Sequence, residues 1–159
     1  MKKLFLTGGS SGIGHSVLEK FSKNNWKVIS TFNKKKLKTN FLKNKFPNTE
    51  YYNLDLYSNK SIDRVTNKIK GNLDAIILNA ADTMFVPNEN YKKLTPNLFA
   101  KYVNINLISQ YRIIYNLIPK LNVNSNIIMI SSIASKNGIG SNVAYSASKA
   151  ALNNLAKSL

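Results

Sequence analysis

The sequence predicts an α/β fold in which helices cover both faces of a parallel sheet. Short β-branched runs alternate with longer amphipathic stretches, a pattern typical of strand-helix-strand units. A glycine-rich turn follows the first apolar run directly, at the point where such a unit passes from strand to helix. The 159 residues, 43% hydrophobic and 19% charged, have the size and composition of one globular domain with one sizeable core.

Five apolar runs are predicted to be strands, at residues 3–7, 27–31, 50–54, 75–78 and 126–130. Four amphipathic stretches are predicted to be helices, at residues 13–23, 62–70, 96–117 and 143–159. Ser58 or Ser61 can cap the second helix, Gly71 lies where its C-terminal cap is expected, and Pro119 ends the third helix. The sequence contains no repeat, Gly/Ser linker or shift in composition, so residues 1–159 are predicted to form a single α/β domain.

Residue types that are absent or rare exclude several kinds of site. There is no cysteine, which excludes disulfides, thiolate metal sites and a Cys nucleophile, and favours a reducing, cytoplasmic setting. His15 is the only histidine, so we expect no metal site and no Ser-His-Asp triad, and His15 itself is expected to be solvated or to cap a helix. No stretch approaches the ~18–20 apolar residues of a membrane span, so we expect no membrane partner.

The net charge of +16 is the most unusual feature of the composition. A nucleic acid or an anionic membrane surface is one class of partner for such a chain. The positive charge is nearly all lysine, however, and it is spread along the chain with many Asn and Ile residues, as AT-rich codon usage would produce. Arg64 and Arg112 are the only arginines, whereas proteins that bind nucleic acids favour the Arg fork. We therefore expect no nucleic-acid partner, and single out only the dense run Lys34-Lys35-Lys36.

The turn after the first strand reads Thr7-Gly8-Gly9-Ser10-Ser11-Gly12-Ile13-Gly14 and leads into an amphipathic helix. Glycines let a backbone turn tightly and approach a pyrophosphate, and a helix N-terminus offers free N–H groups at the positive end of its dipole. Turns also favour Gly and Ser for structural reasons alone. The position between a strand and a helix is what predicts a phosphate-binding turn.

This turn, Thr7-Gly-x-x-x-Gly-Ile-Gly14, resembles that of the short-chain dehydrogenase/reductase family. The resemblance implies a Rossmann-like, doubly wound parallel sheet with strand order 3-2-1-4-5, and a nicotinamide dinucleotide as cofactor. It extends over essentially the whole chain, but members of the family usually run to roughly 250 residues, so the last two strands of the family are expected to be missing. The fifth strand would then be an uncovered edge. Three readings stay open: a fragment of a longer enzyme, which we favour, a truncated gene product, or a module completed by a partner.

The resemblance also implies a catalytic set. Tyr145-Ser146-Ala147-Ser148-Lys149 supplies the Tyr-x-x-x-Lys motif, Ser132 lies at the end of the fifth predicted strand, and Asn106 lies in the preceding long helix. A lysine four residues after a tyrosine lies on the same helix face, where its ammonium favours the phenolate. By resemblance, Tyr145 is the acid-base, Lys149 tunes it and bonds the nicotinamide ribose, Ser132 holds the substrate oxygen, and Asn106 anchors a water in a proton relay.

Further residues are expected to bind the cofactor by the same resemblance. After the fourth strand, Asn79 and Ala80 match the family's Asn-Asn-Ala-Gly pattern, whereas Leu78 and Ala81 depart from it. Asp55, followed by Leu56, lies where the family contacts the adenine amino group, although an Asp that caps a turn is the alternative. The full expected set is Thr7, Gly8, Ser10, Ser11, Gly12, Ile13, Gly14, Asn33, Lys34, Asp55, Leu56, Asn79, Ala80, Tyr145 and Lys149.

The end of the second strand predicts the choice of cofactor. NAD enzymes place a carboxylate there for the ribose 2′-hydroxyl, whereas NADP enzymes omit it and provide positive charge. Here the sequence reads Ser30-Thr31-Phe32-Asn33-Lys34-Lys35-Lys36, with no carboxylate. We expect NADP rather than NAD, with Asn33 and Lys34 or Lys35 near the 2′-phosphate.

These features predict an NAD(P)H-dependent oxidoreductase that transfers hydride between the nicotinamide and a carbonyl or secondary alcohol. The alternative is a non-catalytic or impaired dinucleotide-binding module. By resemblance, the long helices would assemble a homodimer or homotetramer, with Tyr102, Ile105, Ile108 and Leu152 as candidate contacts, although each could equally face the sheet.

Overall fold

The computed structural model describes residues 1–33 and 44–159. Its strands are β1 (Lys3–Leu6), β2 (Lys27–Phe32), β3 (Thr49–Asn53), β4 (Leu73–Leu78) and β5 (Leu121–Met129). They form one sheet in the order β3-β2-β1-β4-β5, which confirms the predicted order. Every pair of neighbours is parallel, so all five carboxyl ends lie along one edge of the sheet.

Six α-helices connect or follow these strands in the described residues. They are α1 (Gly12–Lys23), α2 (Asn59–Lys68), α3 (Pro96–Val103), α4 (Ser109–Leu117), α5 (Ala134–Asn137) and α6 (Val143–Ser158), with short 3₁₀ turns at Asn88–Lys93 and Ile118–Lys120. Ser58 caps α2, because its hydroxyl accepts the N–H of Ser61 at 3.2 Å. Gly71 follows α2 with a φ of +72°, as a residue near a helix C-terminus often does.

The helix predicted at residues 96–117 is interrupted by one π-helical turn, Asn104–Ile108, between α3 and α4. The N–H of Ser109 bonds to the carbonyl of Asn104, one residue further back than in an α-helix. Two side chains of this region reach the loop after β4: Asn106 bonds to the backbone of Asp82, and Gln110 donates to the carbonyl of Ala80 at 3.0 Å. These tertiary contacts are invisible in the periodicity of the sequence, which therefore predicted an unbroken helix.

The sheet buries apolar side chains on both of its faces. On one face, Phe5 and Ile76 pack against Ile62 of α2 and Ile113 of α4. On the other face, Leu4 and Leu6 pack against Leu18 of α1. The alternation follows from the two-residue period of a strand, and each fully buried large side chain contributes about 1.5–3 kcal/mol. The central strand, β1, is thus packed on both of its faces, and this packing fixes the position of the glycine turn that follows it.

β5 is the outer strand of the sheet within the described residues, and it pairs with β4 alone. Val123 of β5 is 91% exposed, whereas Phe5 of β1 is completely buried. The strand begins at Leu121, before its predicted start, and its pairing with β4 has an irregularity opposite Leu73 and Ala75. The predicted uncovered edge is therefore present in this sheet.

Two remaining expectations concern His15 and membranes. His15 is half-buried and packs edge-on against Phe46, with ring centroids 5.7 Å apart, rather than being solvated. No helix in the described parts of the chain combines the length and the apolar character that crossing a membrane requires.

Candidate active site

The glycine turn between β1 and α1 leaves no room for side chains at its centre. Gly8 has a φ of +71°, in the left-handed region that favours glycine. A Cβ added to Gly14 would overlap the carbonyl oxygen of Gly8 and the side-chain amide of Asn79. The backbone of the turn is therefore packed directly against itself and against the end of β4.

Thr7 and Asn79 lock this turn to the end of β4. The buried hydroxyl of Thr7 accepts the N–H groups of Asn79 and Ala80, at 2.9 and 3.0 Å. In return, the amide of Asn79 donates to the carbonyls of Thr7 and Gly8, at 3.1 and 3.3 Å. Both residues were expected to bind a cofactor, and the structure gives each of them a role in shaping the turn.

The start of α1 is open on its outer side. Ser11 precedes the helix in an extended conformation, and its side chain makes no capping hydrogen bond. Gly12 and Ile13 are exposed beside it. The first N–H groups of a helix need partners from outside the helix, and the positive end of the dipole lies there, so this start suits an anionic group.

A cleft of about 520 Å³ runs along the carboxyl edge of the sheet beside this turn. Seven of the residues expected to bind a cofactor line it: Gly8, Ser10, Ser11, Asn33, Leu56, Asn79 and Ala80. Seven more residues line it that were not in the expected cofactor-binding set: Thr31, Phe32, Leu54, Tyr57, Ala81, Asp82 and Ile105. Most of the added residues lie within three positions of a strand end, which is the signal that could have identified them.

Asp55 does not line this cleft, although it was expected to contact an adenine. One oxygen of its carboxylate accepts the N–H of Tyr57 at 3.0 Å, and its own N–H donates to the hydroxyl of Ser61 at 3.0 Å. It borders a separate groove with Lys60 and Arg64. This geometry is that of a turn-capping Asp, the alternative that the sequence left open.

The part of the cleft beside β2 has no carboxylate at the strand end. Asn33 lines the cleft and is exposed there. Among the described residues that line the cleft, Asp82 is the one acid. Lys34, the other residue expected near a 2′-phosphate, lies outside the described residues.

Tyr145 and Lys149 lie one turn apart on α6. The helix begins at the cap Asn142, whose side-chain oxygen accepts the N–H of Tyr145 at 2.8 Å. Lys149 is 3% exposed, and its ammonium lies 5.7 Å from the centre of the Tyr145 ring. It also donates to the carbonyl of Ile130 at 2.6 Å, and burial lowers the pKa of this ammonium below its usual value.

Ser132 follows β5, two residues beyond the carbonyl that Lys149 binds. Its hydroxyl accepts the N–H of Ala134 at 3.2 Å, and its carbonyl accepts the hydroxyl of Ser135 at 2.6 Å. Its neighbour Ser131 donates to the carbonyl of Lys149 at 3.4 Å. The end of β5 and the middle of α6 are thus held against each other.

Asn106, the fourth residue of the predicted catalytic set, is 1% exposed in the π-helical turn. Its side-chain oxygen accepts the N–H of Asp82 at 3.0 Å, and its NH₂ group donates to the carbonyl of Asp82 at 2.8 Å. Both ends of the amide therefore grip the backbone of the loop after β4. That loop continues to Met84, whose carbonyl accepts the side chain of Asn142 at 2.7 Å. One chain of contacts joins Asn106, the cleft and the start of α6.

The parallel sheet, the glycine turn and the cleft at the strand ends are features of dinucleotide-binding α/β proteins. Comparison with known proteins defines the class more closely. The model of the short chain dehydrogenase family matches residues 2–159, and the chain belongs to this family.

Similar proteins extend over nearly all of this chain. An oxidoreductase of Bacillus subtilis is 27% identical over 99% of it, and a tropinone reductase homolog of Arabidopsis thaliana is 30% identical over 99%. A short-chain dehydrogenase of Streptomyces avermitilis superposes with a TM-score of 0.88 at 25% identity, over 99% of this chain and 58% of that one. A Burkholderia multivorans protein solved with bound NADP has a TM-score of 0.86 at 24% identity, over 99% of this chain and 71% of that one. The chain spans 67% of the Bacillus protein and 62% of the Arabidopsis protein.

Proposed function

We propose that this chain carries the cofactor site and the catalytic residues of an NADP-dependent oxidoreductase that acts on a carbonyl or a secondary alcohol. The observation that carries the proposal is the buried Lys149 ammonium, 5.7 Å from the Tyr145 ring and bonded to the strand end that leads to Ser132. A phenol beside a buried cation is suited to moving a proton. The glycine-built cleft lies along the same edge of the sheet.

The cleft fits a dinucleotide on two structural grounds. The packed glycines let the backbone approach a pyrophosphate, since a side chain at Gly14 would fill the turn. The open start of α1 offers N–H groups to the same phosphates. Gly8, Ser10, Ser11, Gly12, Ile13 and Gly14 would hold the pyrophosphate, while Asn79 and Ala80 would lie beside the ribose next to it.

When bound, NADPH supplies a hydride to the carbonyl carbon of the substrate. The hydroxyl of Tyr145 donates its proton to the carbonyl oxygen as negative charge develops there, and the product is the alcohol. The ammonium of Lys149 stabilises the phenolate that remains on Tyr145, until a proton from solvent restores the phenol. The hydroxyl of Ser132 donates a hydrogen bond to the same substrate oxygen and fixes its position.

Asn106 acts in this scheme through its position. Its side-chain oxygen and its NH₂ group both bond to the backbone of Asp82, so the π-helical turn and the loop after β4 are held as one unit. We expect the backbone of this turn, rather than the amide of Asn106, to hold any water of a proton relay.

The preference for NADP is supported by the missing carboxylate at the end of β2. Asn33 occupies the place where an acid would bind a 2′-hydroxyl and repel a 2′-phosphate. Lys34, Lys35 and Lys36 follow it directly and supply positive charge. A metagenomic short-chain oxidoreductase with the same fold has been solved with NADP, which is compatible with this preference.

A fluorescence titration with NADPH and NADH tests the proposal. We expect NADPH to bind at least tenfold more tightly, and Asn33→Asp to reverse most of that preference. Asn53→Asp is the matched control, since Asn53 is another exposed asparagine at a strand end but lies off the cleft. If the wild-type chain binds NADH tenfold more tightly than NADPH, the cofactor assignment is wrong. If a folded chain binds neither, the proposed function fails.

We further propose that copies of the chain associate through α4 and α6, as the resemblance led us to expect. Of the four candidate contacts, Tyr102, Ile105 and Leu152 are buried inside the fold and only Ile108 is exposed. Ile108 lies in an open apolar groove with Leu107, Tyr111 and Leu155. Light scattering of the wild type and of Ile108→Glu measures the mass of each in solution. We expect the wild type to be a dimer or larger, and Ile108→Glu to be a monomer.

The cytoplasmic setting stays a prediction.

A further inference from the structure

Tyr57 and Asp82 form a hydrogen-bonded pair on the wall of the cleft that no sequence pattern indicated. Tyr57 belongs to the loop after β3 and Asp82 to the loop after β4, and both side chains line the cleft. The hydroxyl of Tyr57 donates to the carboxylate of Asp82. Burial and this bond together raise the pKa of the Tyr57 hydroxyl above its ordinary value. The Tyr57 hydroxyl therefore stays protonated at neutral pH and can donate this bond.

Tyr57 and Asp82 are each held in place by further contacts as well. The backbone of Asp82 is gripped by the side chain of Asn106, and its second carboxylate oxygen accepts the N–H of Thr83 at 2.9 Å. The N–H of Tyr57 is bound by Asp55, and the ammonium of Lys101 lies 4.7 Å from the centre of the Tyr57 ring. A hydrogen bond between two groups that are already ordered loses little conformational entropy when it forms.

The negative charge of Asp82 bears on the binding of a ligand that carries phosphates. Asp82 is the one acid that lines the cleft among the described residues, and a dinucleotide carries several phosphate charges. With Tyr57 present, the carboxylate accepts hydrogen bonds from the phenol and from a backbone N–H. Without the phenol, one oxygen of the carboxylate would face the cleft unpaired, and it would repel a polyanionic ligand.

We propose that Tyr57 and Asp82 are positioning residues for the dinucleotide: their hydrogen bond fixes one wall of the cleft and screens the Asp82 charge from the phosphates. The inference rests on the proposed function, because it assumes that a dinucleotide is the ligand. It connects the cleft to the predicted catalytic set, since the same Asp82 is held by Asn106.

Titration of the purified chain with NADPH, followed by fluorescence, tests this pair. Tyr57→Phe removes the phenol and keeps the ring, and we expect the Kd to rise about tenfold. The loss should shrink as salt is added, because added ions screen the exposed carboxylate. In the double variant that joins Tyr57→Phe to Asp82→Asn, at least half of the lost affinity should return. A purely structural role would predict neither the salt dependence nor the recovery.

Tyr115→Phe is the matched control. Tyr115 lies on α4, is 68% exposed and does not line the cleft, so its affinity for NADPH should equal that of the wild type. Thermal unfolding without ligand checks that every variant is folded. Should Tyr57→Phe not fold, Asp82→Ala breaks the same bond without leaving a charge, and we expect a two- to threefold rise in Kd.

The possible failures are distinguishable. Unchanged affinity in Tyr57→Phe or, if that variant does not fold, in Asp82→Ala overturns the inference and leaves the proposed function intact. A double variant that binds no better than Tyr57→Phe overturns the screening of charge. A folded wild-type chain that binds no dinucleotide overturns the proposed function and this inference with it.

Discussion

The two halves of the carboxyl edge are built in opposite ways. At the glycine turn, the structure requires the absence of side chains. Gly14 leaves room for the carbonyl of Gly8, and Thr7 is buried among backbone groups at the end of β4. At the end of β5, the structure presents side chains. Tyr145 and Ser132 are partly exposed and are held from behind, by the N–H of Tyr145 and by the carbonyl of Ser132.

This difference separates the kinds of substitution that each half tolerates. Added volume should damage the glycine turn, because its backbone atoms are in direct contact and cannot move apart cheaply. Loss of a single polar atom should reduce the activity of the β5 half but leave its structure intact. The bonds that anchor its side chains involve mainly backbone atoms and survive such a change. Activity and cofactor affinity should therefore respond separately.

The largest effect is expected for Tyr145→Phe. The change removes the proposed proton donor but keeps the N–H bond to Asn142 and the ring beside Lys149. We expect turnover to fall about 100-fold or more, as for loss of a general acid, with the Kd for NADPH within threefold of wild type. Steady-state assays with carbonyl substrates found by screening measure turnover, and Tyr115→Phe serves as control. Activity that stays within threefold of wild type would remove Tyr145 from the mechanism.

Gly14→Ala should be the most damaging small change in the other half. The new Cβ would overlap the carbonyl of Gly8, and overpacking of this kind costs about 1–3 kcal/mol of stability. Binding of NADPH should weaken about 30-fold or more. Gly12→Ala is the comparison, because its Cβ would meet no neighbour, and only its φ of +52° opposes the change, at about 1 kcal/mol. Equal effects of the two variants, in denaturant unfolding and in titration, would show that space is not what limits the turn.

Thr7→Val tests the lock between β1 and β4. Valine keeps the shape of threonine but leaves the N–H groups of Asn79 and Ala80 without their acceptor. We expect a loss of about 2 kcal/mol in the free energy of unfolding and about tenfold weaker binding of NADPH. Thr7→Ser keeps the oxygen and should recover most of both. If valine and serine behave alike, the hydroxyl is not what holds the turn.

The smallest effect is expected at the amino ends of the strands, opposite the cleft. There Asp74 accepts the N–H of Lys3 at 2.7 Å and the side-chain NH₂ of Asn122 at 2.9 Å. These bonds lower the pKa of the Asp74 carboxyl. A carboxyl with a lowered pKa in the folded state stabilises the fold above its unfolded pKa of ~3.9. The stabilisation is lost as the pH falls through the folded-state value.

Asp74→Asn should therefore lower the free energy of unfolding near pH 7, by under about 1 kcal/mol because solvent still reaches this half-buried group. The difference from wild type should shrink steadily below about pH 4. Binding of NADPH should not change, because Asp74 lies away from the cleft. Denaturant unfolding across this pH range measures it, and a difference that does not depend on pH would contradict the assignment.

The sequence was informative where function follows from local order along the chain. The sequence predicted a glycine turn between the first strand and the first helix, and the spacing of Tyr145 and Lys149 predicted that both lie on one face of a helix; the structure confirms both. It was uninformative where a feature depends on contacts between distant residues. Tyr57 and Asp82 belong to different loops, so no local pattern marks their contact, and none marks the bonds between Asn106 and the backbone of Asp82. Asp55 shows a third case, since one motif position suits both an adenine contact and a turn cap: the structure shows the bond of a cap, and the adenine contact stays a prediction.

The π-helical turn also constrains how this sequence can change by insertion and deletion. It holds one residue more than an α-helical path would need, so deletion of one residue from Asn104–Ile108 would restore a regular helix. Because the turn absorbs this extra residue locally, the helix after it would keep its phase, and Ile113, Ile114 and Leu117, all completely buried, would still face the sheet. The deletion would instead disturb the bonds that Asn106 and Gln110 make to the loop after β4. A lineage could therefore lose the extra residue and keep the apolar face of α4, but it would have to hold the loop after β4 in another way.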